Sequence, residues 1–365
     1  MATATAMVLK APRQFERRRF HVPAAGPREG ILRVEACGLC GTDHEQYSGH
    51  VKSEPAIIPG HEVVGIVEEV GDDGAARWGV TPGQRVAVEV FKSCGECDAC
   101  TSGIYRRCAR NGTATMVGFT SVDSPPALGG GYATHLFLSP DSLLLPVPAD
   151  MDPVYATLFN PLGAGIRWGV ELPETRPGDV VAILGPGVRG LCAAAAAKEA
   201  GAEFVMITGL GPRDAERLAI APRFGVDLAV DVATTDPNDA LRAAIGRKAD
   251  VVVDVTAKAP TAFGQAVSLA TNGGTVVLAG LRGSPETPGL DPDRIVFKEL
   301  RILGALGVDM PAYRKALALL ESNRYPFADL PRQVAGFGDI EGLLQVMAGD
   351  RPGVPPLHGV FAPDP

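Results

Sequence analysis

The sequence predicts an α/β chain in two units: a β-rich unit drawn from both ends, with a helix-covered parallel sheet inserted between them. Three observations predict it. Before about residue 158, segments such as Glu62–Val70 and Arg85–Val90 mix β-branched residues with glycine and proline punctuation. Between about 178 and 281, short apolar strands alternate with helical stretches, the pattern of a parallel sheet buried on both faces. After about 298 the remaining tail is too short for a domain and is expected to return to the first unit. The expected division is 1–158 with 299–365 for the β-rich unit, and 159–298 for the inserted one.

The elements of the insert follow in order. Asp179–Leu184 is an apolar run bounded by glycines, and a helix is expected from the glycine loop behind it to Ala200. Strands are expected at Phe204–Thr208, Leu228–Val232, Val251–Val255 and Thr275–Ala279. Between them lie helical patterns at Arg213–Phe224, Asp239–Ile245 and Thr261–Ala270, the first cut short by Pro222. The tail carries helices near 310–322 and 339–348 and a closing strand at Leu357–Phe361.

Composition narrows the function. At 46% apolar and 21% charged, the 365 residues suffice for a buried core, and disorder is excluded for most of the length. A net charge of −8 argues against nucleic acid as a partner. The short run Arg17-Arg18-Arg19 reads as a solvated edge. No apolar run reaches the ~18 residues that span a bilayer, and the first residues lack a signal peptide's pattern. A cytoplasmic protein with no membrane partner is expected.

The strongest chemical signal is Cys94-x2-Cys97-x2-Cys100-x7-Cys108, which holds four of the seven cysteines. Four thiolates so spaced, with Gly95 and Gly103 to turn the backbone, suit a closed tetrahedral zinc site of structural type. An iron–sulfur cluster is the rival.

A second signal is Cys37-Gly38-Leu39-Cys40-Gly41-Thr42-Asp43, followed by Gly60-His61-Glu62. A cysteine and a histidine some twenty residues apart mean little alone, but both have acidic or polar neighbours that a metal site uses, with Asp43 suited to orient a ligand. A third is Gly185-Pro186-Gly187-Val188-Arg189-Gly190, set between a strand and a helix. That context makes it a dinucleotide fingerprint: Gly185 for the turn, Gly187 for approach of the pyrophosphate, Gly190 for helix–strand packing, with the helix amides at Val188 and Arg189 facing the anion.

With Asn160-Pro161-Leu162-Gly163, these motifs resemble the medium-chain zinc alcohol dehydrogenases, a family that includes threonine and polyol dehydrogenases. The resemblance spans nearly the whole chain. It implies a discontinuous GroES-like catalytic domain with an inserted Rossmann domain, and hydride transfer between NAD(P) and a small alcohol or carbonyl compound. It also implies a homodimer or homotetramer. By resemblance Cys40 and His61 bind a catalytic zinc, Thr42 passes the substrate proton outward, and Asn160 stands at the third-ligand position.

The sequence departs from the family there. A neutral amide is a poor zinc donor, so three outcomes stay open: Glu62 becomes the third ligand, the zinc is held weakly, or the site is empty. Glu62 is favoured because one thiolate plus one carboxylate neutralises the dication. The family's relay histidine is also displaced: His44 sits one residue before the matching position, Glu45, and is a candidate relay. At the end of the second strand, Thr208-Gly209 lacks the acid that NAD enzymes use for the ribose diol, and Arg213 follows to pair with a 2′-phosphate. NADP is therefore preferred to NAD. Two alternatives to the alcohol dehydrogenase reading stand: a metal-free NADPH-dependent reductase of activated alkenes or carbonyls that keeps only the structural zinc, and a dinucleotide-binding protein without turnover.

Overall fold

A computed structural model describes residues 2–51, 56–281 and 286–363. Six strands form one parallel sheet in the order Leu228–Asp231, Phe204–Gly209, Val180–Leu184, Ala249–Asp254, Ala270–Leu278, Arg301–Gly304. The first strand in sequence thus lies between the second and the fourth, the doubly wound order of dinucleotide-binding sheets. The order in which strands are added reverses where Val180–Leu184 meets Ala249–Asp254, a parallel pair in which Leu184 faces Asp254.

Every residue of Val180–Leu184 is buried, which is why it reads as an unbroken apolar run rather than an alternating one. Helix Val188–Glu199 follows, with Ala193–Ala197 all buried. Its small side chains let another helix approach closely: a Cβ on Gly165 would lie 2.5 Å from the Cys192 backbone. Helix Gly211–Ile220 gives way to a 3-10 turn, Ala221–Phe224, as Pro222 requires, and Gly225 at φ 83° ends it.

The chain divides into Met1–Phe159 with Ala328–Pro365, and Asn160–Phe327. The first boundary lies beside the expected one; the second differs. Residues 299–327 belong with the inserted unit because Arg301–Gly304 is its sixth strand, paired in parallel with Ala270–Leu278. Leu300 and Ile302 pack on that unit's core.

The other unit is built on a seven-stranded sheet. It runs Arg332–Ala335, His358–Phe361, Gly30–Leu39, Glu62–Val70, Arg85–Val88, Leu144–Pro146, with His135–Leu138 paired to Gly30–Leu39. The C-terminal strand pairs antiparallel with Gly30–Leu39, so the tail does return to this unit. A two-stranded hairpin, Thr3–Ala11 and Gln14–His21, carries the arginine run. Arg17 stacks its guanidinium 4.7 Å from the ring centre of Phe337, so this edge is partly packed rather than merely solvated. Among the described residues, no helix is long and apolar enough to cross a membrane.

Candidate active site and metal centres

Strand Gly30–Leu39 delivers Cys40 to the start of helix Gly41–Ser48, and the local sequence fixes it there. The Cys40 sulfur caps the helix, accepting from the Thr42 amide at 3.2 Å. The Asp43 carboxylate reaches back to accept the Cys40 amide at 2.8 Å. This reciprocal cap satisfies two amides that would otherwise be orphaned at a helix start. The companion cysteine is not part of the site: Cys37 is fully buried, and burial pushes its thiol well above the usual range.

Opposite this helix start, strand Glu62–Val70 opens with His61 and Glu62. The His61 Nε2 lies 3.0 Å from the Cys40 sulfur. Donor atoms of Cys40, His61 and Glu62 all fall within 4.8 Å of one another, and all three residues are buried. Burial alone would lower the His61 pKa, but the Cys40 and Asp43 charges outweigh it and hold it at about 10. The pocket therefore favours positive charge. The His61 Nδ1 and the Asp43 Oδ1 are buried without hydrogen-bond partners and face each other at 3.7 Å. A metal on Nε2 would leave Nδ1–H directed at this carboxylate, the usual outer support of a zinc histidine. The donor set of one thiolate, one imidazole and one carboxylate fits a zinc dication.

Cys94, Cys97, Cys100 and Cys108 form the second cluster, again with all sulfurs within 4.8 Å. Cys97–Thr101 turns tightly because the Cys100 and Thr101 amides both donate to the Cys97 carbonyl. The Glu96 and Cys97 amides point at the Cys94 sulfur at 3.5 and 3.4 Å. Burial raises the Cys108 thiol, but the amides of Cys94, Asn111 and Arg110 bring it down to about 6. Amides aimed at sulfur stabilise thiolates, which are the form that binds zinc. No cysteine in the chain is in a disulfide.

Thr42 is half-buried in the first turn of its helix, and His44 lies two residues on, its Nδ1 3.5 Å from Glu45 Oε1. Phe119 tilts against His61 with ring centres 6.0 Å apart, while Phe91 and Val90 are buried.

The inserted unit holds the glycine loop. Gly185 turns at φ 106°, and its amide donates to the Thr208 carbonyl at 3.1 Å. Gly187 caps helix Val188–Glu199, and a Cβ there would meet nothing within 4 Å. This open space beside the first helical amides is the shape a pyrophosphate needs. At Gly190 a Cβ would collide with the Gly185 carbonyl. Thr256, which the sequence did not flag, borders Gly185 and bonds to Asp254 through its hydroxyl at 2.6 Å. The single acid closing the apolar run Val251–Val255 is the signal that marks this spot.

At the end of the second strand the missing acid has a steric cause. A Cβ on Gly209 would lie 2.9 Å from Pro186 and 3.0 Å from the Cβ of Asp214. Asp214 is itself committed, accepting the Leu210 amide at 2.9 Å and pairing with Arg217 at 3.3 Å. Arg213 beside it is exposed.

Asn160 belongs to the inserted unit, and its amide is engaged there. Nδ2 donates to the Tyr313 hydroxyl at 2.9 Å, and Oδ1 accepts from Arg189 at 3.3 Å. Asn160, which the resemblance sets at the third-ligand position, thus has both ends of its amide hydrogen-bonded within the inserted unit.

A buried thiolate–imidazole–carboxylate set on one unit and a dinucleotide cradle on the other define a metal-dependent dehydrogenase. Comparison with known proteins places it more closely. Residues 26–149 match the alcohol dehydrogenase GroES-like domain, and residues 189–322 match the zinc-binding dehydrogenase domain. A probable alcohol dehydrogenase of Mycobacterium tuberculosis is 61% identical over 363 residues, 99% of each chain. The L-threonine 3-dehydrogenase of Bacillus subtilis is 31% identical over 314 residues, 84% of each. A protein of Sinorhizobium meliloti, described as a zinc-binding dehydrogenase and solved with NADP, matches with TM-score 0.83, 27% identity and 100% of both chains. The chain belongs to the zinc-binding medium-chain alcohol dehydrogenase family and is an oxidoreductase of alcohols.

Proposed function

We propose an NADP-dependent alcohol dehydrogenase in which Cys40, His61 and Glu62 hold the catalytic zinc, and Cys94, Cys97, Cys100 and Cys108 hold a structural one. The observation that carries this is the Glu62 carboxylate, buried within 4.8 Å of the Cys40 and His61 donors. Zinc bound there supplies a Lewis acid for the oxygen of a small alcohol or carbonyl substrate. The Thr42 hydroxyl takes the proton of the alcohol and passes its own outward. His44 follows two residues later, roughly 200° around the helix, which favours Thr42 alone as first acceptor. Asp43 holds His61 in one tautomer. Val90 and Phe119 are candidate walls for the substrate.

On the other unit, the amides at Val188 and Arg189 receive the pyrophosphate over Gly187, and Thr208 and Gly209 border the adenosine ribose. Gly209 offers no carboxylate, Asp214 is tied to Leu210 and Arg217, and Asp231 on the neighbouring strand is engaged by the Gly211 and Ala233 amides, so exposed Arg213 is the group placed to pair with a 2′-phosphate. The NADP carried by the Sinorhizobium relative supports the same choice. Replacing Arg213 by Ala is expected to narrow the preference for NADPH over NADH about tenfold; an unchanged preference sinks the assignment.

Elemental analysis tests the metal assignment. Two zinc ions per chain are expected, falling to one in Glu62→Gln. Two ions surviving that change would remove Glu62 from the ligand set; one ion in the unaltered chain would favour the metal-free reductase. We place the protein in the cytoplasm, where cysteines outside disulfides stay reduced. We also propose that it self-associates through the edge strand Arg301–Gly304, flanked by exposed Val296, Phe297 and Leu306. Sedimentation of Phe297→Asp should then show a smaller species than the unaltered chain.

A further inference from the structure

We propose that Asn160 is a positioning residue for the dinucleotide: it holds the Arg189 guanidinium at the mouth of the pyrophosphate cradle. The inference rests on the reading of Gly185–Gly190 as that cradle. Arg189 is the second residue of helix Val188–Glu199, one turn-start away from the open space over Gly187. An arginine there has long-range freedom that costs entropy when an anion orders it. Here the ordering is done in advance. Asn160 Oδ1 accepts one guanidinium N–H at 3.3 Å, and the Trp168 ring lies 5.8 Å from the guanidinium carbon, within cation–π reach. A guanidinium carries five N–H donors, so a bond to Asn160 is compatible with donation to a phosphate.

The holders are themselves fixed. Asn160 is anchored through its other end to the hydroxyl of fully buried Tyr313. Gly163, three residues on and on the same helix face, leaves room for the Tyr313 ring, where a Cβ would come within 2.5 Å. Trp168 sits on a π-helical turn, Arg167–Glu171, and its ring N–H is bonded to the Gly307 carbonyl at 2.9 Å. An amide suits position 160. It donates to Tyr313 and accepts from Arg189 at once, a pairing of roles that a thiolate lacks. The position at which the family places a metal ligand has here been turned to the cofactor.

The test is titration with NADPH, followed by its fluorescence, of the zinc-loaded enzyme and of Asn160→Ala, Arg189→Ala and the double variant, with zinc counted on the same samples. Asn160→Ala is expected to weaken NADPH binding about five- to tenfold at unchanged zinc. In the Arg189→Ala background the same change should add nothing, because Asn160 acts through Arg189. Unchanged affinity in Asn160→Ala, multiplicative losses in the double variant, or loss of zinc with affinity intact would each overturn the proposal, the last by making Asn160 a metal ligand. Tyr313→Phe keeps the buried ring and removes only the anchor; it should weaken NADPH binding about two- to threefold, and no change there counts against the proposal even where Asn160→Ala fails to fold. Failure of the unaltered enzyme to bind either NADPH or NADH is a different result: it removes the cradle reading, and this inference with it.

Discussion

The Glu62 carboxylate occupies the space that a Cβ on Gly38 would need, and the two residues face each other across paired antiparallel strands. The glycine two residues before Cys40 is thus tied to the acid one residue after His61. Gly38→Ala should push the carboxylate away while costing about 1–3 kcal/mol through overpacking. The expected result of elemental analysis is loss of one zinc per chain from a protein that still melts cooperatively. Retention of both ions would separate Glu62 from the metal.

The four-cysteine lobe should behave as an independent structural site. Among its residues only Cys94, Tyr105 and Cys108 are buried apolar groups, so little but the metal orders it. Cys100→Ser should release one zinc and expose the segment 94–108 to limited proteolysis, with the Cys40 site still loaded. Unaltered cleavage kinetics would mean the lobe holds its shape by packing.

Two glycines of one loop should fail in different ways. A methyl group on Gly187 enters open space, so Gly187→Ala should change stability by less than about 1 kcal/mol yet weaken NADPH binding about tenfold or more. A methyl group on Gly190 strikes the Gly185 carbonyl, so Gly190→Ala should destabilise the unliganded protein by about 1–3 kcal/mol. Denaturant titration alongside NADPH titration distinguishes them; equal stability losses would refute the split.

His358 gives a pH signature unconnected with the metals. Its Nδ1 accepts from Arg332 at 3.0 Å and its Nε2 meets Thr157 at 2.8 Å, an arrangement for the neutral ring. Burial, aided by Arg332, lowers its pKa from 6.5 to about 3. As pH falls below 6.5 the unfolded chain takes up a proton that the native chain refuses, so stability is full above that pH and declines toward 3. The decline should amount to about 2–3 kcal/mol by about pH 4.5. Urea unfolding across this range should show a flatter slope for His358→Gln; parallel slopes would rule the histidine out as the cause.

Most of the architecture was legible because the signals were local. Val180–Leu184 is apolar throughout since both its faces are covered, and Pro222 ends its helix for reasons of covalent geometry. The four cysteines lie within one short segment, so their spacing alone implied a cluster. The strand Arg301–Gly304 escaped the sequence reading because it is four residues long; pairing with Ala270–Leu278 decides where it belongs. The partners of Asn160 lie 29 and 153 positions away, beyond any periodic pattern. The block at Gly209 was visible only as a missing acid, because Pro186 and Asp214 close in on it through the fold.

The strand His358–Phe361 lies beside Gly30–Leu39, with Phe361 opposite Cys37 and Gly359 opposite Leu39. During synthesis the strand leading to Cys40 emerges before the whole inserted sheet, and this neighbour only after it. The inserted sheet, contiguous in sequence, can fold while the chain is still growing. The sheet that carries Cys40 keeps an open edge until His358–Phe361 has emerged, so a chain cut just before residue 358 would have its inserted sheet formed and this sheet incomplete.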